Sequence, residues 1–323
     1  MKPVARVLVI KLSAIGDFVL AFPAFERIRT AHPDARITLL TTPPFEALAV
    51  ASPFFDRMET DGRPTGPIAW LKLIWRLRRE RYDRVYDLQI NDRTNLIFQM
   101  LRPFPPAWSG VAAGSALPHR NRHRMTMHTL ERQAEQLKDA GIWPDAPTAP
   151  LSAPPPDLSW ILARTPAPGA IAGPGLRPLA LLAPGSSAHR PEKRWPVERY
   201  AALAAGLEAR GFDVLVIGGL QEAELAHVIQ NRARRARDLT GRTDFAQIAA
   251  LGARAAIAVG NDTGPTHLIA AAGAPTIAMF SSASDPALCG PRGHVTVFQA
   301  PDLADVPVDT VLRAALALAT PSS

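Results

Sequence analysis

The chain carries one cysteine, Cys289, in 323 residues. A single thiol excludes an internal disulfide and any Cys cluster for structural zinc, and it favours a reducing, cytoplasmic setting. No stretch reaches the ~18 uninterrupted apolar residues of a spanning helix. The early apolar run Val7–Ala21 is interrupted by Lys11 and Asp17, and no small-residue cleavage site closes it, so neither export nor insertion is expected. No G-x-G-x-x-G follows a strand, which leaves a dinucleotide oxidoreductase with little support. G-x-x-x-x-G-K-[ST], H-E-x-x-H and G-x-S-x-G are also missing. No two aspartates are separated by one residue, so the D-x-D metal clamp is absent.

What is present is an ordinary globular composition, 47% hydrophobic and 20% charged, with enough apolar residues for substantial cores. The formal net charge of +7 is unevenly placed. Residues 1–150 hold 21 Lys/Arg against 15 Asp/Glu, whereas residues 151–323 hold 15 against 14. A basic half joined to a neutral half points to an anionic partner: nucleic acid, a phosphorylated glycolipid or the anionic face of a membrane.

Short apolar runs alternate with helical stretches, the pattern of βαβ units and parallel sheets. In the first half, Arg6–Lys11, Arg36–Thr41 and Arg84–Leu88 read as strands, and Phe18–Ala31 and Trp70–Arg81 as helices. Prolines crowd the stretch from Pro144 to Pro178, with a short helix at Leu158–Arg164. The same grammar then restarts. Leu179–Ala183, Asp213–Ile217, Ala255–Val259 and Pro275–Phe280 read as strands. Arg199–Arg210, ended by Gly211, Thr266–Ala272 and Val308–Ala319 read as helices. The expected organisation is an α/β domain over 1–150, a proline-rich linker region over 151–178 and a second α/β domain over 179–323. Two doubly wound Rossmann-like domains facing a cleft are the simplest architecture.

Four constellations carry chemistry. Lys11-Leu-Ser-Ala-Ile-Gly-Asp17 lies at a strand end, where ligands collect in open α/β sheets. Asp17 there can be a proton acceptor for an incoming hydroxyl or merely a helix N-cap. Pro184-Gly-Ser-Ser187, followed by Lys193 and Arg194, offers hydroxyls, backbone N–H groups and cations to phosphate oxygens; the plain alternative is a charged loop whose Pro196 starts a helix at N1. Asn261-Asp-Thr-Gly-Pro-Thr-His267 ends a strand and begins a small-residue helix, whose N-terminus suits a diphosphate. Asp262 and Thr263 then sit at the lip and His267 on the first turn, against the alternative of a capped helix with a solvent-facing His. Glu222, after Gly218-Gly219, can accept ribose hydroxyls or be surface decoration.

In this order the motifs resemble glycosyltransferase family 9, the ADP-heptose:lipopolysaccharide heptosyltransferases. Asn261–His267 with Leu268-Ile-Ala-Ala-Ala-Gly273 and Pro275 is the most specific part, Lys11–Asp17 with Pro23-Ala24 nearly so, and Tyr82–Gln89 with Arg93 fits as well. The resemblance implies the GT-B architecture and an inverting, single-displacement transfer that needs no metal and no cofactor. It implies that Asp17 deprotonates the acceptor hydroxyl and that Lys193 joins the catalytic set. Ser186, Ser187, Lys193, Asp262, Thr263, Gly264 and His267 would bind the diphosphate and donor sugar, with Glu222 on the ribose. Lys11, Ser13 and Arg93 would serve the acceptor. Arg120, Arg122 and Arg124 join them because the charges of His119–His128 are dense and are expected to have no nearby carboxylates. The expected partners are an ADP-sugar donor and an anionic glycolipid acceptor, with peripheral contact at the cytoplasmic face of the inner membrane.

Two other readings are kept. A nucleotide-sugar epimerase shares the two-domain architecture and would need several acids and bases around one sugar. A nucleic-acid-binding protein would account for the basic half, but no aromatic-interleaved basic platform is present, so no nucleic-acid partner is expected.

Overall fold

The structure is a computed structural model that describes residues 4–165, 177–187 and 190–319. Pro166, Pro168 and Pro174 of the proline-rich stretch, and Ala188 and His189 after the Gly-Ser turn, lie outside the described residues. The chain forms two compact units, Met1–Ala153 and Pro154–Ser323.

The first unit runs β1 (Arg6–Ile10), α1 (Ile15–Val19), α2 (Phe22–Ala31), β2 (Arg36–Leu40), α3 (Glu46–Ala51), β3 (Arg57–Glu59), α4 (Gly66–Glu80), β4 (Arg84–Asp87), α5 (Asp92–Met100), β5 (Ala107–Gly110), β6 (Leu117–Pro118) and α6 (Thr129–Asp139). All its strand pairings are parallel, in the order β3-β2-β1-β4-β5-β6. β1 and β2 are buried except at their first residue, as parallel strands covered on both faces must be. The single helix expected over Phe18–Ala31 is two. Pro23, in the first turn of α2, has no N–H and its ring crowds the preceding turn, so α1 stops at Val19 and the chain bends before Phe22.

The second unit runs α7 (Ser159–Leu162), β7 (Leu179–Ala183), α8 (Val197–Glu208), β8 (Asp213–Val216), α9 (Ala223–Arg232), β9 (Arg237–Asp238), α10 (Phe245–Gly252), β10 (Ala255–Asn261), α11 (Gly264–Ala271), β11 (Thr276–Phe280), α12 (Pro286–Cys289), β12 (Val295–Gln299) and α13 (Val308–Ala319). Its six parallel strands order as β12-β11-β10-β7-β8-β9. Gly211 (φ +86°) supplies the left-handed turn that leads from α8 into β8. Pro196 is the N-cap of α8 rather than its first helical residue. α7, the described helix of the proline-rich stretch, packs against α10 within this unit.

In each sheet the winding direction reverses once. β2 and β3 build outward on one side of β1, and β4, β5 and β6 on the other. In the second sheet the reversal falls between β7 and β10. The loops leaving the carboxyl ends of these neighbouring strands part in opposite directions and open a crevice, the usual ligand position in such folds.

Candidate active site

At the reversal of the second sheet, β10 ends in Asn261, whose side chain is fully buried. Its Oδ1 accepts from the Trp195 backbone N–H and from the Tyr200 hydroxyl, both at 3.0 Å. Its Nδ2 donates to the carbonyls of Pro184 and Gly185, at 2.7 and 3.2 Å. The Thr266 hydroxyl donates to the Asn261 carbonyl at 2.8 Å. One residue thus ties together the loop after β7, the entry to α8 and the first turn of α11. Burial raises the Tyr200 pKa far above its ordinary value, so its hydroxyl stays a donor.

The next residue, Asp262, lies between the side chains of Lys193 and His267. Lys193 Nζ is 2.6 Å from one carboxylate oxygen and His267 Nε2 is 3.5 Å from the other. Burial alone would raise the Asp262 pKa, but the hydrogen bonds and charges of His267 and Lys193 outweigh it and hold the carboxyl well below the usual range. Lys193 ends a 3-10 turn over Pro191–Lys193. His267 is buried, not solvent-facing. Thr263 occupies the N-cap position of α11 and Gly264 its first turn, beside the positive end of the helix dipole.

Glu222 lies at the adjoining strand end and is buried, not surface decoration. Its Oε2 accepts from the Gly219 N–H at 2.6 Å. A Cβ at Gly185 would come within 2.6 Å of the Glu222 Cγ, so this contact between the loops after β7 and β8 needs glycine. Ser186 is engaged within its own loop, its hydroxyl donating to the Arg190 carbonyl at 2.9 Å and accepting from Arg194 Nε at 3.0 Å. Ser187 is exposed. The sequence-predicted residues therefore form one cluster of Lys193, Asp262, Thr263, Gly264 and His267. Glu222 sits at the neighbouring strand end, and Ser186 serves the loop.

At the reversal of the first sheet, Gln89 joins the loops after β1 and β4. Its Oε1 accepts from the Leu12 N–H and its Nε2 donates to the Ser13 hydroxyl, both at 2.8 Å. Asp17 stands in the first turn of α1, but Ala14 is the N-cap, so Asp17 is not the cap. Among the described residues its carboxylate accepts no hydrogen bond, and it is half-buried. Lys11 is buried, with Nζ 3.3 Å from the Leu88 carbonyl, and burial lowers its pKa. Asp87 is fully buried, and burial pushes its carboxyl up to about 6. Hydrogen bonds from Thr94, Ile90 and Gln89 and the charge of Lys11 limit that rise.

Arg93, in the first turn of α5, lies 5.9 Å over the Trp70 ring. Arg120, Arg122 and Arg124 follow the edge strand β6, with Arg120 and Arg122 exposed. The expectation that His119–His128 is free of carboxylates fails in three dimensions. α6 brings Glu135 to 2.8 Å from both His119 and Asn121, and Asp139 accepts from the Arg120 N–H at 2.9 Å. Sequence distance hid this, because α6 folds back along the segment. Among the described residues, no group of three His, Cys, Asp or Glu side chains is placed to hold a metal ion.

Two doubly wound α/β units, each with a crevice at the carboxyl ends of its strands, define the two-domain architecture of a ligand-binding α/β protein. Residues 70–300 match glycosyltransferase family 9 (heptosyltransferase), and the chain belongs to that family: it is a glycosyltransferase. It is 27% identical to lipopolysaccharide heptosyltransferase 2 of Escherichia coli K12 over 90% of this chain and 86% of the relative. The solved structure of E. coli ADP-heptose lps heptosyltransferase II superposes with a TM-score of 0.78, at 24% identity, covering 97% of this chain and 98% of that one. E. coli heptosyltransferase WaaC with ADP gives a TM-score of 0.73 at 21% identity, over 97% and 99% of the two chains. The matched family range begins inside α4 and leaves out Lys11–Asp17.

Two outcomes follow from this geometry. Asn261→Ala strips partners from buried donors and carbonyls in three segments, and should lower unfolding stability by at least ~3 kcal/mol in urea denaturation. Asp87 holds its proton to higher pH in the folded chain than an ordinary carboxyl does, so stability falls as pH rises from about 4 to about 6 and levels off above. Asp87→Asn keeps the Oδ1 acceptor and abolishes that titration. Denaturation at successive pH values should show the variant gaining on the wild type by about 2 kcal/mol across that window.

Proposed function

We propose that the chain transfers a heptosyl group from ADP-heptose to a hydroxyl of a lipopolysaccharide core or similar anionic glycan, with inversion at the anomeric carbon and without a metal ion. The observation that carries this reading is the Lys193–Asp262–His267 cluster at the start of α11. A departing nucleoside diphosphate needs positive charge as its glycosidic bond breaks. Lys193, His267 and the helix N-terminus at Thr263 and Gly264 supply it at one place, and Asp262 holds both side chains there. Glu222, with one oxygen given to Gly219, offers the other to the ribose hydroxyls. Ser187 and the backbone of the Gly185–Ser187 turn complete the phosphate contacts, with Ser186 shaping that turn. The names of the relatives support ADP-heptose as donor and a lipopolysaccharide acceptor.

Asp17 is the general base of this scheme. Its carboxylate is half-buried at the sheet's reversal and accepts no hydrogen bond among the described residues, so its lone pairs are available to an acceptor hydroxyl. Lys11 and Ser13 shape the same loop, and a net positive potential there suits an anionic acceptor. Arg93, Arg120, Arg122 and Arg124 extend that potential along the first unit. Asp92, exposed in the first turn of α5, is the rival base. The acceptor's lipid anchor makes the protein a peripheral visitor to the inner face of the membrane.

Mass spectrometry of a reaction containing ADP-heptose and a truncated lipopolysaccharide core should detect the heptosylated product, and UDP- and GDP-sugars should give none. With the same assay, Asp17→Asn should lower kcat by ~10²-fold or more while ADP affinity by calorimetry stays unchanged. Near-normal turnover of that variant would transfer the role to Asp92. Activity should persist in excess EDTA; a complete loss restored by magnesium would overturn the assignment of charge stabilisation to Lys193 and His267.

A further inference from the structure

One face of α4 is apolar yet unburied. Ile68, Leu71 and Trp75 are 69%, 64% and 62% exposed. Their spacing of three and four residues puts them in one stripe along a helix about 22 Å long. Buried side chains of the same helix, Leu73, Ile74 and Leu77, already anchor it to the core, so the stripe is surplus to folding. Scattered exposed apolar residues need no explanation, but a contiguous helical stripe does.

The charges around the stripe are of one sign. Lys72, Arg78 and Arg79 are exposed beside it, and the Arg79 guanidinium lies 5.2 Å over the Trp75 ring. The carboxylates near α4 are spent elsewhere: Arg76 takes Glu59 and Asp61, and Glu80 pairs with Arg57. Arg78 also donates to the Met100 and Arg102 carbonyls, both at 2.8 Å, which fixes the following turn beside the helix end. That turn carries Phe104, 91% exposed.

We infer that this face of α4 docks on an anionic lipid bilayer, with Ile68, Leu71 and Trp75 entering the interface and Lys72, Arg78 and Arg79 contacting headgroup phosphates. An apolar stripe with a tryptophan, flanked by cations and lacking acids, is the pattern that lies in the headgroup region of membranes. Among the described residues no helix is long and apolar enough to cross a membrane. α4 precedes β4 and runs antiparallel to it, so its first turns lie at the carboxyl edge of the sheet. There Trp70 meets Arg93. The docking face therefore begins at the carboxyl edge of the sheet, the edge from which the loop after β1 leads to Asp17. The inference goes beyond the proposed transfer reaction and is tested without any sugar substrate, so either can fail alone.

The test is co-sedimentation of the full chain with phosphatidylcholine vesicles, with and without about 30% phosphatidylglycerol. Binding is expected only to the anionic vesicles and should weaken with salt. Leu71→Gln/Trp75→Gln and, separately, Lys72→Gln/Arg79→Gln should each weaken it at least ~10-fold, with unchanged melting temperature because all four side chains are exposed. Arg232→Gln/Arg234→Gln, an equal charge loss on the second unit, should change it less than ~2-fold. Absence of binding to anionic vesicles, or equal weakening by all three pairs, overturns the inference. So does a concentration-dependent dimer in sedimentation velocity that Trp75→Gln abolishes, since a second copy would then be what covers the stripe.

Discussion

Asn261 sits where the parallel sheet stops supplying hydrogen bonds. At the reversal between β7 and β10 the two outgoing loops diverge, and their backbone groups lose the strand neighbours that would pair them. A buried amide has both donors and acceptors, and Asn261 uses them on both sides: carbonyls of Pro184 and Gly185 on one, the Trp195 N–H and Tyr200 hydroxyl on the other. Lys193 lies on the stretch of chain between those two attachment points. Its position is therefore set by a neutral residue next in sequence to Asp262, the carboxylate it pairs with. The ion pair inherits its geometry from the amide, which matters more than its Coulomb energy, because a buried pair gives back much of that energy as desolvation.

The first sheet meets the same constraint with Gln89. Its amide accepts from Leu12 and donates to Ser13, so the loops after β1 and β4 are stitched at their own reversal. The longer side chain reaches across from the loop, whereas Asn261 works from the strand end itself. Behind the stitch lie Lys11 and Asp87, both buried and both shifted toward their neutral forms by burial. Each lowers the cost of the other's charge. The pair places a titrating core under the half-buried carboxylate of Asp17, and Asp17 in turn raises the Lys11 pKa against the effect of burial. Asp17 and Lys11 are thus electrostatically coupled although no hydrogen bond joins them.

The central strands were legible because both their faces are buried. The runs at β1, β2, β7 and β11 are nearly all apolar, and their bounds agree with the sequence reading to within a residue. The edge strands β3, β6 and β9 were not, since two or three residues carry no period. α5 and α10 were missed although each opens with a capping box, at Asn91–Thr94 and Asp244–Gln247. Those signals were readable. The cluster at Asp262 and His267 was legible as a dense polar turn at a strand end. The structural use of Ser186 was not, because it depends on Arg190 and Arg194 folding back over the turn. The burial of Glu222 was hidden for the same reason: Gly185, which packs against its side chain, comes from a different loop.

The positive charge of the first unit also resolves once ion pairs are placed. Arg29, Arg57 and Arg76 are neutralised locally by Asp56, Glu80, Glu59 and Asp61. Glu135 and Asp139 of α6 face the segment that holds Arg120 and Arg122. The outward side of α4 has no such compensation, and there the cations are interleaved with apolar side chains rather than with acids. A surface built only to keep the protein in solution would alternate signs and bury its large apolar residues. Charge of one sign beside exposed Trp75 instead combines a long-range attraction with a short-range one, and an anionic lipid surface supplies both at once. A nucleic acid would match the charge but offers no apolar layer for Ile68 and Leu71. The pattern on α4 therefore separates a nucleic acid from a lipid surface, a choice that net charge alone left open.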